Sequence, residues 1–335
     1  PLTTQAHFDD GGPAMSYFEV LTGMGFTVFA DAPVDAAVIE VGLGGEWDAT
    51  NVVRPAVSVV TPIGIDHVAY LGDSLESIAT AKAGIIKPGA AVVLSRQVPQ
   101  AQKVLDRRCD EVGAVAVHQG RDFDVVQRAL AMGGQMLTVQ GVHSRYDDVW
   151  VPLFGAHQAE NVAVAIAAVE AFFGDALPPQ RVRDALAAVE SPGRLEIVRR
   201  NPTVLVDAAH NPHGAQVLAQ ALGESFSFEY LIGVVSVMAD KDVLGVLEAM
   251  QHVFNEVVVT HNGSPRAMQV EDLERLAQDT FGADRVHSEP DVRTAIGRAV
   301  ELAHDAGTAG VGIVVTGSVA TAAAGRHAAG KDDAR

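Results

Sequence analysis

The sequence predicts an α/β protein of two domains with parallel, doubly wound sheets. Short apolar strands alternate with longer helical patterns. The chain has 335 residues, room for two cores at about 150 residues per domain. Gly and Pro punctuate almost every change of pattern.

The elements follow in order. Residues 15–30 carry Phe18, Leu21, Met24, Phe26 and Phe29 at roughly helical spacing, which predicts a helix. Residues 36–41 (AAVIEV) form an apolar run with one carboxylate, as a buried parallel strand would. Residues 57–61 and 90–94 predict two more strands. Residues 74–85 predict a helix with Ser74 as N-cap and Glu76 in its first turn. Residues 99–112 predict a helix opened by proline. Glycine-rich turns and short alternating runs over 125–153 predict an antiparallel excursion. Two helices follow, over 157–173 and 178–188.

Ser191-Pro192-Gly193 is the expected boundary, giving domains 1–192 and 193–335. Beyond it, strands are expected at 203–206, 228–235, 256–260 and 311–316. The helices between them cover 212–222, 243–250, 270–280 and 292–306. The Ala-rich stretch 320–329 predicts a terminal helix. Ligands on such sheets gather at the carboxyl ends of strands.

Composition excludes several classes. With 42 acidic and 24 basic side chains the net charge is −18, unlike a general nucleic-acid or anionic-membrane binder. The single cysteine, Cys109, excludes a disulfide framework and a multi-cysteine zinc site. No apolar run spans a bilayer and no signal peptide opens the chain, so a cytoplasmic protein is expected. The polar stretch 1–13, ending in Asp-Asp-Gly-Gly-Pro, reads as a cut within a longer protein.

Four clusters place polar groups at strand ends. Glu40 precedes Gly42, Gly44 and Gly45, which allow a backbone path close to a ligand. A turn with a salt-bridged glutamate explains the same residues equally well, and a dinucleotide fingerprint fails because Trp47 stands where glycine is required. Asp66 and His67 follow a strand as metal ligands or as a carboxylate orienting an imidazole; a solvated histidine is the plainer alternative. Lys82 sits among Ala81, Ala83, Ile85 and Ile86, and taken alone reads as a lysine snorkelling near a helix C-terminus. Asp207 ends a strand just before His210, Asn211 and Pro212 open a helix. Asn211 as N-cap accounts for part of this, and the added acid and imidazole favour an anion site.

Taken together, the residues resemble the folylpolyglutamate synthase and dihydrofolate synthase branch of the Mur ligase superfamily. The matching stretches are SYFE (16–19), EVGLGGEWDATNV (40–52), IGIDHVAYLGDSLESIATAKAGIIKPG (63–89), GAHQAENVAVAIAA (155–168), PGRLE (192–196), DAAHNPHGA (207–215), ADKD (239–242) and VVTGS (314–318). They lie in family order along nearly the whole chain. The resemblance implies a Mur-ligase-like central nucleotide-binding domain, incomplete at its N-terminus, followed by a Rossmann-like C-terminal domain. It implies an ATP- and Mg2+-dependent amide ligase joining L-glutamate to dihydropteroate or to the glutamate tail of a reduced folate, through an acyl phosphate. A monomer is expected.

By the same resemblance, Glu40 and His67 match magnesium ligands, and Lys82 matches a lysine carbamylated to hold a second magnesium. Ser16, Tyr17, Phe18, Glu19, Trp47, Asp48 and Ala49 match the pterin region. Asn161, Arg194 and Asp207 match ATP contacts, and His210 a position beside the transferring phosphate. Glu46 stands where the family has arginine, and Ala208 where it has glycine. No strand followed by a GK[ST] loop is present. The string 325–331 has Asp332 after its lysine and no strand immediately before it. That segment is expected before Pro1, and the chain alone is expected to bind ATP weakly. Two other classes are kept open: a two-metal hydrolase built on Asp66, His67, Lys82 and His210, and a non-catalytic folate or nucleotide binder.

Overall fold

The computed structural model describes residues 14–32 and 34–330, in two compact units. The first comprises residues 1–124, 141–144 and 163–177; the second comprises 125–140, 145–162 and 178–335. The polar stretch 1–13, and with it the reading of a cut there, lies outside the described residues, as does Lys331, the last residue of the 325–331 string.

In the first unit, α1 (Tyr17–Asp31) opens on a capping box in which Ser16 and Glu19 satisfy each other's backbone N–H. The helical spacing is right, yet none of its residues is buried among those described. Strands β1 (Val57–Val60), β2 (Ala91–Leu94) and β3 (Val115–His118) form a parallel sheet in that order. Two helices cover it. One is α3 (Leu75–Ala83), capped by Ser74 as expected and preceded by a single-turn α2 (Val68–Leu71). The other is α4 (Pro99–Val112), closed by Gly113 at φ 64°. Ile78, Ile86, Val92, Leu94 and Leu105 fill the core between them.

The strand expected over 36–41 is absent. That segment has no regular structure, and Val38 is 96% exposed. A strand needs a neighbour to take its N–H and C=O groups. None of the described strands lies beside β1 on the edge away from β2, so the apolar run has nothing to pair with. Glu40 is therefore an exposed carboxylate, not the buried strand-end acid the sequence suggested.

The helix α5 (Ala156–Phe173) runs through both sets of residues. In the first unit its Glu170, fully buried, accepts hydrogen bonds from the N–H groups of Val142 (2.5 Å), His143 (3.2 Å) and Ser144 (3.2 Å). One carboxylate thus satisfies a whole turn of backbone. Glu170→Ala is expected to destabilise the protein by about 3–5 kcal/mol, because those donors lose their acceptor inside the protein. Urea unfolding tests it; a loss under about 1 kcal/mol would show that water replaces the carboxylate.

In the second unit, β4 (Asp124–Ala131), β5 (Gly134–Gln140) and β6 (Arg145–Val151) make the expected excursion, with β5 and β6 antiparallel. After α6 (Pro179–Ala187) comes the main sheet. Its strands are β7 (Glu196–Arg200), β8 (Thr203–Val206), β9 (Tyr230–Val235), β10 (Glu256–Val259), β11 (Val286–Ser288) and β12 (Val311–Thr316), in the order 11-10-9-12-8-7. All pairs are parallel except β7 with β8. Helices α7 (Pro212–Ser225), α8 (Val243–Met250), α9 (Val270–Phe281), α10 (Val292–Asp305) and α11 (Val319–Ala328) cover it. The apolar clusters against the sheet include Leu205, Leu247 and Phe254 in one, and Ile232, Ile313 and Ala299 in the other. Because β12 inserts between β8 and β9, the strand order switches there, and the carboxyl ends of these strands mark the place where such sheets hold ligands. Among the described residues no helix is long and apolar enough to cross a membrane.

Candidate active site

Unit 1 brings together the glycine loop and the lysine helix. Glu46 donates its N–H to the Ala81 carbonyl (2.8 Å), and Asn51 donates to the Glu46 and Gly84 carbonyls (2.9 and 3.3 Å). Gly45 lies so close to the last turn of α3 that a Cβ would sit 2.7 Å from the Ala81 carbonyl oxygen. Gly84 is equally tight against Glu46, 2.4 Å from a built Cβ to the Glu46 Cα. The two glycine-bearing motifs are therefore two sides of one contact, and Lys82 lies half-buried on the helix side of it.

Asp48 closes the same loop. Burial alone would raise its pKa. Hydrogen bonds from the Thr50 hydroxyl and N–H, the Leu43 N–H and the Gly42 N–H outweigh that and hold it below the usual carboxylate value. Its carboxylate is thus occupied in capping the short 3-10 turn Ala49–Val52. Trp47 beside it is 90% exposed.

The SYFE residues divide by role. Ser16 and Glu19 hydrogen-bond each other's backbone. Tyr17 is exposed, and the Phe18 ring lies where a Cβ on Gly42 would stand, 2.4 Å from its Cζ. Phe18, Leu21, Phe26, Phe29, Ile39 and Glu40 line one shallow groove of about 240 Å³. His67 is exposed and takes a left-handed conformation at φ 53°, with its N–H donated to Asp66 (2.8 Å). Among the described residues no three His, Cys, Asp or Glu side chains gather into a metal cluster.

Unit 2 brings together Arg194, Asp207 and His210. The carboxylate of Asp207, at the end of β8, accepts from the N–H of Leu195 and of Ala209, each at 2.8 Å. Burial pushes the Asp207 carboxyl up. The two N–H donors, Arg194 and His210 oppose that. His210 places Nδ1 3.0 Å from the Ala208 carbonyl, which assigns a ring proton to Nδ1. Asn211 caps α7 by accepting from Gly214 (2.8 Å), and Pro212 opens that helix, as the sequence indicated. On α5, the exposed Asn161 donates its amide to Gln158 Oε1 at 3.2 Å.

Sequence reasoning missed the clamp on the PGRLE turn. Glu196 accepts from Gly193 N–H (2.9 Å) and from Arg326 Nε (2.8 Å) on α11. Leu195 takes φ 46°, and Gly193 takes φ 71°. A pairing across 130 residues leaves no local mark in a sequence.

Comparison with known proteins gives these residues a family. Residues 22–169 match the Mur ligase middle domain, and residues 193–319 the Mur ligase glutamate ligase domain. A dihydrofolate synthase/folylpolyglutamate synthase of Mycobacterium tuberculosis is 51% identical over 98% of this chain and 72% of its own length. A folylpolyglutamate synthase of Lacticaseibacillus casei is 38% identical over 77% of this chain, and that match spans 61% of the relative. The M. tuberculosis folylpolyglutamate synthase solved with ADP and AMPPCP superposes with a TM-score of 0.95 at 50% identity, over 99% of this chain and 76% of that one. The Escherichia coli FolC complex with DHPP and ADP gives 0.79 at 28% identity, over 92% and 70%.

Proposed function

Since the chain belongs to the folylpolyglutamate synthase and dihydrofolate synthase family of Mur ligases, we propose that it serves an ATP-dependent amide ligase that joins L-glutamate to dihydropteroate or to the glutamate tail of a reduced folate. The observation that carries this reading is the Arg194, Asp207 and His210 group at the end of β8 and the start of α7. The γ-phosphoryl group passes to the acceptor carboxylate, giving an acyl phosphate and ADP. The glutamate amine attacks the acyl carbon, loses a proton, and phosphate departs from the tetrahedral intermediate. Every reactant is anionic, so fixed donors and cations must hold them together.

Asp207 fixes the backbone of Leu195 and Ala209, and through Leu195 the attitude of its chain neighbour Arg194. The His210 Nε2 suits a place beside the transferring phosphate, because Nδ1–H is committed to a carbonyl. The donor set of Glu40 and His67, with phosphate oxygens from the nucleotide, fits the way magnesium is bound, through few protein ligands plus phosphate and water. Those residues would hold it, and it would neutralise charge on the phosphates. Lys82, once carbamylated, would add a second carboxylate-like group. Phe18 and Trp47 would meet the pterin, while Ser16, Glu19 and Asp48 act by shaping the backbone around it. We place the passage between the two ligase modules at Ser191–Gly193, and we take the protein to work as a cytoplasmic monomer.

The test is ADP release and glutamylated product by mass spectrometry, with ATP, Mg2+, L-glutamate and dihydropteroate. The chain is assayed alone and with a P-loop segment supplied at its N-terminus. Little turnover alone and restored turnover with the segment is the expected result; no product in either case would overturn the reading. In the restored assay, Lys82→Arg keeps a cation that cannot be carbamylated and is expected to lose at least about tenfold in rate, about 1.4 kcal/mol, as Lys82→Ala does. Wild-type rates from Lys82→Arg would remove the carbamate from the mechanism.

A further inference from the structure

The start of α5 is seated on α7 by a cluster that the proposed chemistry does not use. Phe154 packs on Phe226, ring centroids 4.9 Å apart, and Phe226 stacks on Phe228 at 5.3 Å. Beside this apolar contact lies a polar one. Arg128 on β4 pairs with Glu224 on α7 (2.9 Å) and donates to Gln135 (2.6 Å), while Gln220 donates to Glu224 (2.7 Å). Gln135 in turn donates to the Gly155 carbonyl (3.2 Å). His157 lies beside Gly155, within the field of Arg128 and Glu224. Its ring and the Ala221 methyl both crowd Gly155, where a Cβ would be 2.6 Å from His157 Cε1 and 2.9 Å from Ala221 Cβ. Gly155 itself is at φ 91°.

The charges around His157 oppose an imidazolium. Arg128 from β4 and Arg194 from the turn before β7 both repel it; Glu224 from α7 is the one carboxylate that favours it. Arg128 Nη2 is buried and without a hydrogen-bond partner, so the cluster already holds one unsatisfied donor although Glu224 pairs the guanidinium. The next residue, Gln158, is buried and holds the Asn161 amide.

We propose that His157 is a positioning residue: as a neutral imidazole it seats the first turn of α5 on α7 and, through Gln158, sets the Asn161 amide, and its protonation unseats that turn. The link from Asn161 to nucleotide rests on the proposed function; the seating does not.

Burial, then the two arginines, hold the His157 pKa below its ordinary 6.5. With the folded value depressed, the unfolded chain takes up the proton first. Stability from this group is complete above about pH 6.5 and is lost as pH falls from there toward the folded value. NMR titration of the whole chain between about pH 5 and pH 8 tests the coupling, following the His157 ring and the Asn161 side-chain amide. The two are expected to share one midpoint below the ordinary histidine value. Arg128→Gln is expected to raise that midpoint and Glu224→Gln to lower it, so one variant suffices if the other does not fold. In His157→Gln the Asn161 amide is expected to stay flat. An Asn161 shift that persists in His157→Gln, or a wild-type Asn161 that ignores the His157 titration, overturns the proposal. Adding ADP and Mg2+ separates the two readings. If the Asn161 amide follows His157 but does not respond to ADP, the nucleotide assignment fails and the seating role stands.

Discussion

Replacing Asp207 by alanine is expected to lower the unfolding free energy by about 2–4 kcal/mol and to abolish turnover in the ligase assay restored with the P-loop segment. The carboxylate is the acceptor for two backbone donors, Leu195 N–H and Ala209 N–H. Leu195 sits at φ 46°, a conformation that a branched side chain avoids and that must be held from outside. Removing the acceptor frees that turn together with Arg194 and His210, its neighbours in sequence. Asp207→Asn separates charge from geometry, since the amide keeps one acceptor oxygen. The pH dependence gives a sharper test. Burial raises the folded pKa of Asp207 above its ordinary 3.8, so the folded protein holds the proton longer than the unfolded chain. The stability this group contributes is complete below about pH 3.8 and is lost as pH rises through the folded value. The deficit of Asp207→Asn relative to wild type is therefore expected to shrink as pH rises through that range. Urea unfolding of both proteins across acidic pH measures it, and a deficit that grows with pH would show a carboxyl stabilised in its charged form.

How much of this was legible depended on whether the deciding partner was near in sequence. Ser74, Pro99 and Asn211-Pro212 each mark a helix start by chemistry within one turn, and each helix begins where they place it. The runs 36–41 (AAVIEV) and 311–316 (VGIVVT) look alike in sequence. The second is a fully buried strand because β8 and β9 flank it; the first, among the described residues, has no flanking strand and stays irregular. Strands β7 (EIVRR) and β11 (VHS) were missed because they are polar sheet edges, where little apolar surface is buried. At the candidate site, the motifs were legible from their order along the chain, while the hydrogen bonds their side chains make were not. Ser16, Glu19 and Asp48 read as ligand contacts, and their side chains are engaged with the backbone of their own turns. The Glu196–Arg326 pair and the Arg128–Glu224 pair join residues far apart in the chain, and no spacing rule finds them.

Gly84→Ala is expected to cost about 1–3 kcal/mol of stability and more than tenfold, about 1.4 kcal/mol, in transition-state stabilisation. Gly84 is at φ −60°, ψ −16°, an ordinary helical conformation, so alanine brings no backbone strain. The whole effect comes from the new methyl group, 2.4 Å from the Glu46 Cα and 2.8 Å from its nitrogen. Those atoms are backbone and cannot rotate away. The loop must lift off the last turn of α3, stretching the Glu46 N–H to Ala81 bond and the Asn51 bonds that tie the two together. Lys82 stays on the helix while the loop that follows Glu40 moves, so the proposed metal-side groups lose their spacing. A higher magnesium requirement in the restored assay is the specific readout, because a purely structural loss would lower the amount of folded enzyme without changing that requirement. Gly297→Ala supplies the control: it lies inside α10 with open space around its Cβ, and is expected to gain about 0.5–1 kcal/mol of stability. If Gly84→Ala kept both its rate and its magnesium dependence, the contact between the glycine loop and α3 would be packing alone, and Glu40 and Lys82 would have to be separated in the mechanism.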